Sequence, residues 1–125
     1  MDLTTRACNN KILSISKILF VYDHFFPAFR AGGPIQSLAN LATALMPDHD
    51  ILVLTGDGDH NTAGKLPGIK TGTWSELVLP KQQNAMQVMY APKEKISRRF
   101  FSSILKAKQP DIIYLNGMFS FRFVL

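Results

Sequence analysis

The chain has 125 residues, of which 46% are hydrophobic and 18% charged, and its formal net charge is +5. That length suits one domain of about 100–150 residues around a single core and is too short for two, and the apolar share excludes a chain too polar to offset its own ordering entropy. The basic residues are scattered rather than run together, and Cys8 is the sole cysteine, which excludes an intrachain disulfide.

Residues 1–17 read as a polar lead-in. Lys11 and Lys17 interrupt the apolar letters Ile12, Leu13 and Ile15, so no stretch here is long enough for a spanning helix or a signal-peptide core. A cytoplasmic location is the expectation. Cys8 precedes any element that would set it beside a base, which argues against a nucleophile. Residues 18–22 form a continuous apolar run, the pattern of a strand buried on both faces. Residues 23–33 turn to a loop with Pro27 and the pair Gly32-Gly33. Pro34 then stands where a first helical residue belongs, because its missing N–H would have no intrahelical partner there. Ile35, Leu38, Leu41, Ala42 and Leu45 recur at helical spacing over residues 35–46, and Pro47 stops the helix. Residues 51–55 are a second buried-strand run. The order strand, glycine loop, helix, strand makes the two strands parallel.

Residues 56–72 are rich in Gly, Asp, Asn and Thr and read as a long surface excursion, a length that points to function or mobility. Residues 77–79 and the alternating Met86, Val88 and Tyr90 predict one or two short strands, closed by Ala91-Pro92. Ile96, Phe100, Phe101, Ile104 and Leu105 share one face of a further helix whose other face carries Arg98, Arg99, Lys106 and Lys108, and Pro110 ends it. Arg98 and Arg99, with Lys93 and Lys95, are either a solvated helix face or a contact for anionic headgroups, a phosphorylated acceptor or nucleic acid. Residues 111–116 are a third strand, built on Ile112, Ile113, Tyr114 and Leu115 and followed by Gly117. Phe119, Phe121, Phe123, Val124 and Leu125 then start an apolar element with no polar tail, which predicts that the chain stops inside a domain.

The fold these elements predict is an open parallel α/β sheet, Rossmann-like, with helices on both faces and an irregular central insertion. In such sheets ligands bind beyond the C-terminal strand ends, where Ala31-Gly32-Gly33-Pro34 leads into the first helix. A glycine pair at a helix start lets backbone N–H groups approach a phosphate or a sugar hydroxyl, and it equally makes a plain tight turn. Neither G-x-G-x-x-G nor a Walker loop is present, which lowers dehydrogenase and P-loop functions. Asp57-Gly58-Asp59, with His60 and Asn61, resembles a D-x-D metal motif, but an exposed Asp-Gly turn has the same letters. An EF-hand loop fails because its Gly and Glu positions hold Thr62 and Gly68. No metal site is expected. His24, just after the first strand, faces either a ligand or the fold itself.

Taken together, residues 18–22, Pro27, Gly32-Gly33 opening the helix, Asp48-His49-Asp50 leading into the second strand, and residues 110–117 resemble the start of family-four, glycogen-synthase-like glycosyltransferases. Their order spans nearly the whole chain. The resemblance implies a partial N-terminal, acceptor-side domain over residues 18–125 of a two-domain GT-B enzyme, its donor-binding C-terminal domain absent. It implies retaining transfer from a nucleotide-sugar donor to a carbohydrate or lipid-linked acceptor, as in polysaccharide biosynthesis, with no further cofactor, no metal and no nucleic acid. A peripheral contact with the inner face of a membrane is compatible with it. Gly32 and Gly33 would face the donor diphosphate, and His24, Arg30, Asn116 and Gly117 would line the acceptor side of the cleft. Many members carry His-x-His-Gly where this chain has Tyr114-Leu115-Asn116-Gly117, so Asn116 can hydrogen-bond a hydroxyl but cannot titrate. The family's E-x7-E pair is absent, since Glu76 and Glu94 have neither its spacing nor its place. The chain alone is therefore expected to be inactive. Two alternatives stay open: a non-catalytic remnant or interaction module, and a small nucleotide-binding α/β domain.

Overall fold

The computed structural model describes residues 16–30, 32–59 and 64–115. Cys8, His60, Asn61, Asn116, Gly117 and the apolar run at residues 119–125 lie outside the described residues. Five strands, β1 (Lys17–Tyr22), β2 (Asp50–Gly56), β3 (Trp74–Val78), β4 (Ala85–Ala91) and β5 (Ile112–Leu115), form one open sheet in the order β3-β4-β2-β1-β5. The neighbouring pairs β4-β2, β2-β1 and β1-β5 are parallel, while β3 runs antiparallel to β4. The sheet is thus mixed at one edge rather than wholly parallel as expected. The reason is local: β3 and β4 are joined by a short connection, which suits an antiparallel pair, whereas parallel neighbours need a long crossover.

Two helices supply the crossovers described: α1 (Gly33–Leu45) between β1 and β2, and α2 (Arg98–Lys108) between β4 and β5. Alternation along the strands assigns each helix a face. Ile18 and Phe20 of β1, Ile51 and Val53 of β2, and Met86 and Val88 of β4 pack with Leu38 and Ala42 of α1. The residues between them, Leu19, Val21, Leu52, Leu54 and Met89, pack with Ile104 of α2 and with Ile96, which precedes that helix. This explains why β1 and β2 read as unbroken apolar runs: both of their faces are covered. β5 is different. As the sheet's edge among the described residues, its Ile112, Ile113, Tyr114 and Leu115 are 40–51% exposed.

Helix ends follow local chemistry. α2 starts where the Ser97 hydroxyl accepts the Phe100 N–H at 3.1 Å, a cap that contributes about 1 kcal/mol. It ends at Gln109 in the left-handed region, one residue before Pro110. α1 begins two residues earlier than the apolar periodicity suggests, with Pro34 inside its first turn and Gly32 as its cap.

The excursion after β2 is less of a surface loop than its composition predicts. Leu66 is buried against Ala28 and Ile35, forming a small third cluster that ties the insertion to the β1–α1 loop and the first turn of α1. Thr71 also bridges Tyr90. Among the described residues no helix is long and apolar enough to cross a membrane.

Candidate functional site

β1 connects through α1 to β2 on one side, and β4 connects through α2 to β5 on the other side of β1. Strand order therefore reverses between β1 and β5, and the crevice outside their carboxyl ends is where an open α/β sheet takes ligands. Tyr22, Asp23 and His24 leave β1 at this point, and Leu115 ends β5 beside Val21. The β1–α1 loop, residues 23–32, necessarily runs along the same C-terminal edge.

This loop is fastened from several directions. The Gly56 N–H donates to the Asp23 carbonyl at 3.1 Å. His24, 7% exposed, has Nδ1 3.3 Å from the Gly58 carbonyl, and its ring meets Tyr22 edge-on with centroids 6.0 Å apart. Burial, and next the neighbouring Asp23 charge, raise the Tyr22 hydroxyl above its ordinary pKa of 10.0. The peptide bond between Phe26 and Pro27 is cis, and the Tyr90 hydroxyl at the end of β4 donates to the Phe26 carbonyl. Burial pushes the Tyr90 pKa up to about 12. Further along, Asp59 accepts two successive backbone N–H groups on its two carboxylate oxygens, Phe29 at 3.0 Å and Arg30 at 2.9 Å. Phe29 itself is 72% exposed, with the Arg30 guanidinium 5.8 Å from its ring centre.

The two glycines have different tasks. Gly32 has φ 71° and ψ −119°, a conformation that side chains disfavour, so glycine is required there by the backbone. At Gly33 φ is not positive, and a Cβ on either glycine would meet nothing within 4 Å among the described residues. Both therefore border open space. Pro34 has no N–H, and the amides of Ile35 and Gln36 donate to the Gly32 carbonyl, at 3.1 and 3.2 Å. The first turn of α1 thus has fewer donors to spare for an anion than a glycine-opened helix start suggests.

A cavity of about 450 Å³ lies at the same edge, lined by His24, Asp57, Asp59, Lys65 and Glu94 among others. It brings His24 together with residues following β2 and β4, but Gly32, Gly33 and Arg30 do not line it. The sequence does not point to Lys65, and Glu94 enters there only to be set aside as half of an E-x7-E pair. The signal available was position: they, with Asp57 and Asp59, follow the carboxyl ends of parallel strands. Among the described residues no group of three or more metal-ligating side chains is assembled.

Further cavities lie elsewhere among the described residues, two of them against the sheet. One of about 510 Å³ opens at the amino-terminal ends of the strands, near Lys17, His49, Glu76 and Lys108. Its ammonium groups already serve the fold: Lys17 Nζ donates to the Lys108 carbonyl at 2.8 Å, while Lys108 Nζ sits 5.0 Å above the Trp74 ring and 3.3 Å from Gln87 Oε1. The other, about 640 Å³, is a groove between Phe26-Pro27, Ile69 and the β3–β4 pair. Neither touches the switch point. Comparison with protein-family models, with curated proteins and with solved structures finds no match.

Proposed function

We propose that this chain is the N-terminal, acceptor-side half of a retaining GT-B glycosyltransferase of the glycogen-synthase-like type. The observation that carries the reading is the strand-order reversal between β1 and β5, with the fastened β1–α1 loop and its Gly32-Gly33 pair at the carboxyl edge beside it. A Rossmann-like half of such an enzyme needs one rigid wall of a cleft, open above the glycine pair and polar beside it. The open space over Gly32 and Gly33 and the polar cavity around His24 are consistent with that need. In this reading Gly32 and Gly33 border the donor diphosphate, His24 and Arg30 belong to the acceptor side with Asn116 and Gly117, and a second domain supplies most donor contacts. The protein's part is positioning and electrostatic support of the leaving diphosphate, with no group on this wall forming a bond to the sugar.

The test is an assay of nucleoside diphosphate release from a panel of nucleotide sugars with an oligosaccharide or lipid-linked acceptor extract. The chain alone is expected to give no turnover, and the chain joined to a C-terminal Rossmann-like half from its own reading frame is expected to gain it. Turnover by the chain alone, removed by Gly33→Val, would refute the half-enzyme reading. A second reading, an interaction module, is favoured by the exposure of Ile112, Ile113, Tyr114 and Leu115 on the β5 edge. It requires a partner that pairs with that edge, and pull-down of a strand-adding partner lost on Ile113→Lys would favour it.

A further inference from the structure

We propose that Asp59 is a built-in occupant of an oxyanion seat, and that a phosphate-bearing ligand of the β1–α1 loop enters by displacing it. The inference rests on the reading of this loop as phosphate-facing and adds a regulatory contact to it. Two successive backbone N–H groups, each aimed at a different oxygen of one carboxylate at 3.0 and 2.9 Å, form a concave donor pair of the kind that also holds phosphate. Asp59 shows that the two donors can converge on one oxyanion.

The pair belongs to Phe29 and Arg30, ahead of α1, so the seat does not depend on the helix terminus. Its surroundings leave room for a larger anion beside Arg30, while Asp57 and Glu94 line the neighbouring cavity that Asp59 also borders. Arg30 is exposed, Gly32 and Gly33 leave the space beside them open, and the first turn of α1 has no acidic residue. Asp59 reaches the seat from the other side, past the end of β2. Its departure removes the Asp59 ties between the β1–α1 loop and the insertion, while the Tyr90 hydroxyl on the Phe26 carbonyl and the Ala28–Ile35–Leu66 cluster remain. The loop therefore keeps its shape when the carboxylate leaves. The device is an intramolecular competition, in which apparent affinity falls by the fraction of time the seat is filled from within.

The experiment is a titration of the 15N-labelled 125-residue chain with pyrophosphate at constant ionic strength, followed by amide shifts, for the native chain, Asp59→Ala and Asp59→Asn. The Phe29 and Arg30 amides are expected to report binding, and Asp59→Ala to bind more tightly. A seat free about a tenth of the time gives about a tenfold gain when the competitor is removed. Asp59→Asn keeps the size but offers one acceptor oxygen, so its affinity is expected to fall between the two. Native binding with unchanged or weaker binding in both folded variants overturns the competition and leaves the phosphate-facing loop standing. No shift at Phe29 or Arg30 in any of the three at millimolar pyrophosphate overturns the seat, and the half-enzyme reading is then decided by the turnover assay alone. Loss of the folded spectrum in both variants also overturns the inference, because a competitor that leaves cannot be what holds the fold.

Discussion

Removing the Tyr90 hydroxyl isolates one tie on the β1–α1 loop without changing the core's shape. Tyr90 is 4% exposed, packs with Phe20, Val53 and Val88, and donates its hydroxyl proton to the Phe26 carbonyl. In Tyr90→Phe the ring stays and the carbonyl loses its donor. A lost hydrogen bond of this kind costs about 1–2 kcal/mol, towards the low end because the groove lined by Phe26 and Tyr90 admits water. For a chain of this size that lowers the melting temperature by about 4–8 °C. Alkali provides the control. The folded pKa is raised from 10.0 to about 12, so the tyrosine's contribution is fully present below pH 10 and is lost as pH rises towards 12. The full difference between these values corresponds to about 2.7 kcal/mol, and solvent reaching the hydroxyl through the groove lowers this to about 1–2 kcal/mol. Urea unfolding followed by circular dichroism, at neutral pH and in steps through 10 to 12, is expected to show native and variant stabilities converging across that interval. Tyr22 and the lysines titrate in both proteins and cancel in the difference. A gap that stays constant or widens with pH would refute the reading that the hydroxyl is buried in its neutral form.

The glycine pair is expected to separate on substitution: Gly32→Ala destabilises by about 1–3 kcal/mol through its backbone conformation, whereas Gly33→Ala is neutral or stabilises by up to about 1 kcal/mol. Equal losses in thermal melts of the two would show that φ does not separate them. Thr55 is fully buried and its hydroxyl has no hydrogen-bond partner among the described residues, so Thr55→Val, which replaces that oxygen with a methyl group, is expected to stabilise by about 1 kcal/mol. A lower denaturation midpoint in Thr55→Val would mean that the hydroxyl is satisfied by a bound water.

What the sequence by itself determined is the local frame: β1 and β2 from unbroken apolar runs, α1 and α2 from helical spacing, and helix ends from Pro34, Pro47 and Pro110. Those signals are local because hydrophobic period and missing N–H groups act within a few residues. The strand, glycine loop, helix order also sufficed to set Gly32, Gly33 and His24 at the carboxyl edge, since the loop that follows a strand leaves from its carboxyl end. Only the tertiary structure decided the rest. Nothing in Trp74–Val78 says that it closes the sheet antiparallel, or that Leu66 leaves a polar stretch to pack on Ala28 and Ile35. Asp57-Gly58-Asp59 carries the same letters as a metal motif or a plain turn. That Asp59 meets the Phe29 and Arg30 amides depends on β1 and β2 being neighbours, so that loops 29 and 30 residues apart in sequence leave the sheet side by side. Contacts of this kind are set by which strand ends adjoin, and no window of the sequence contains both partners.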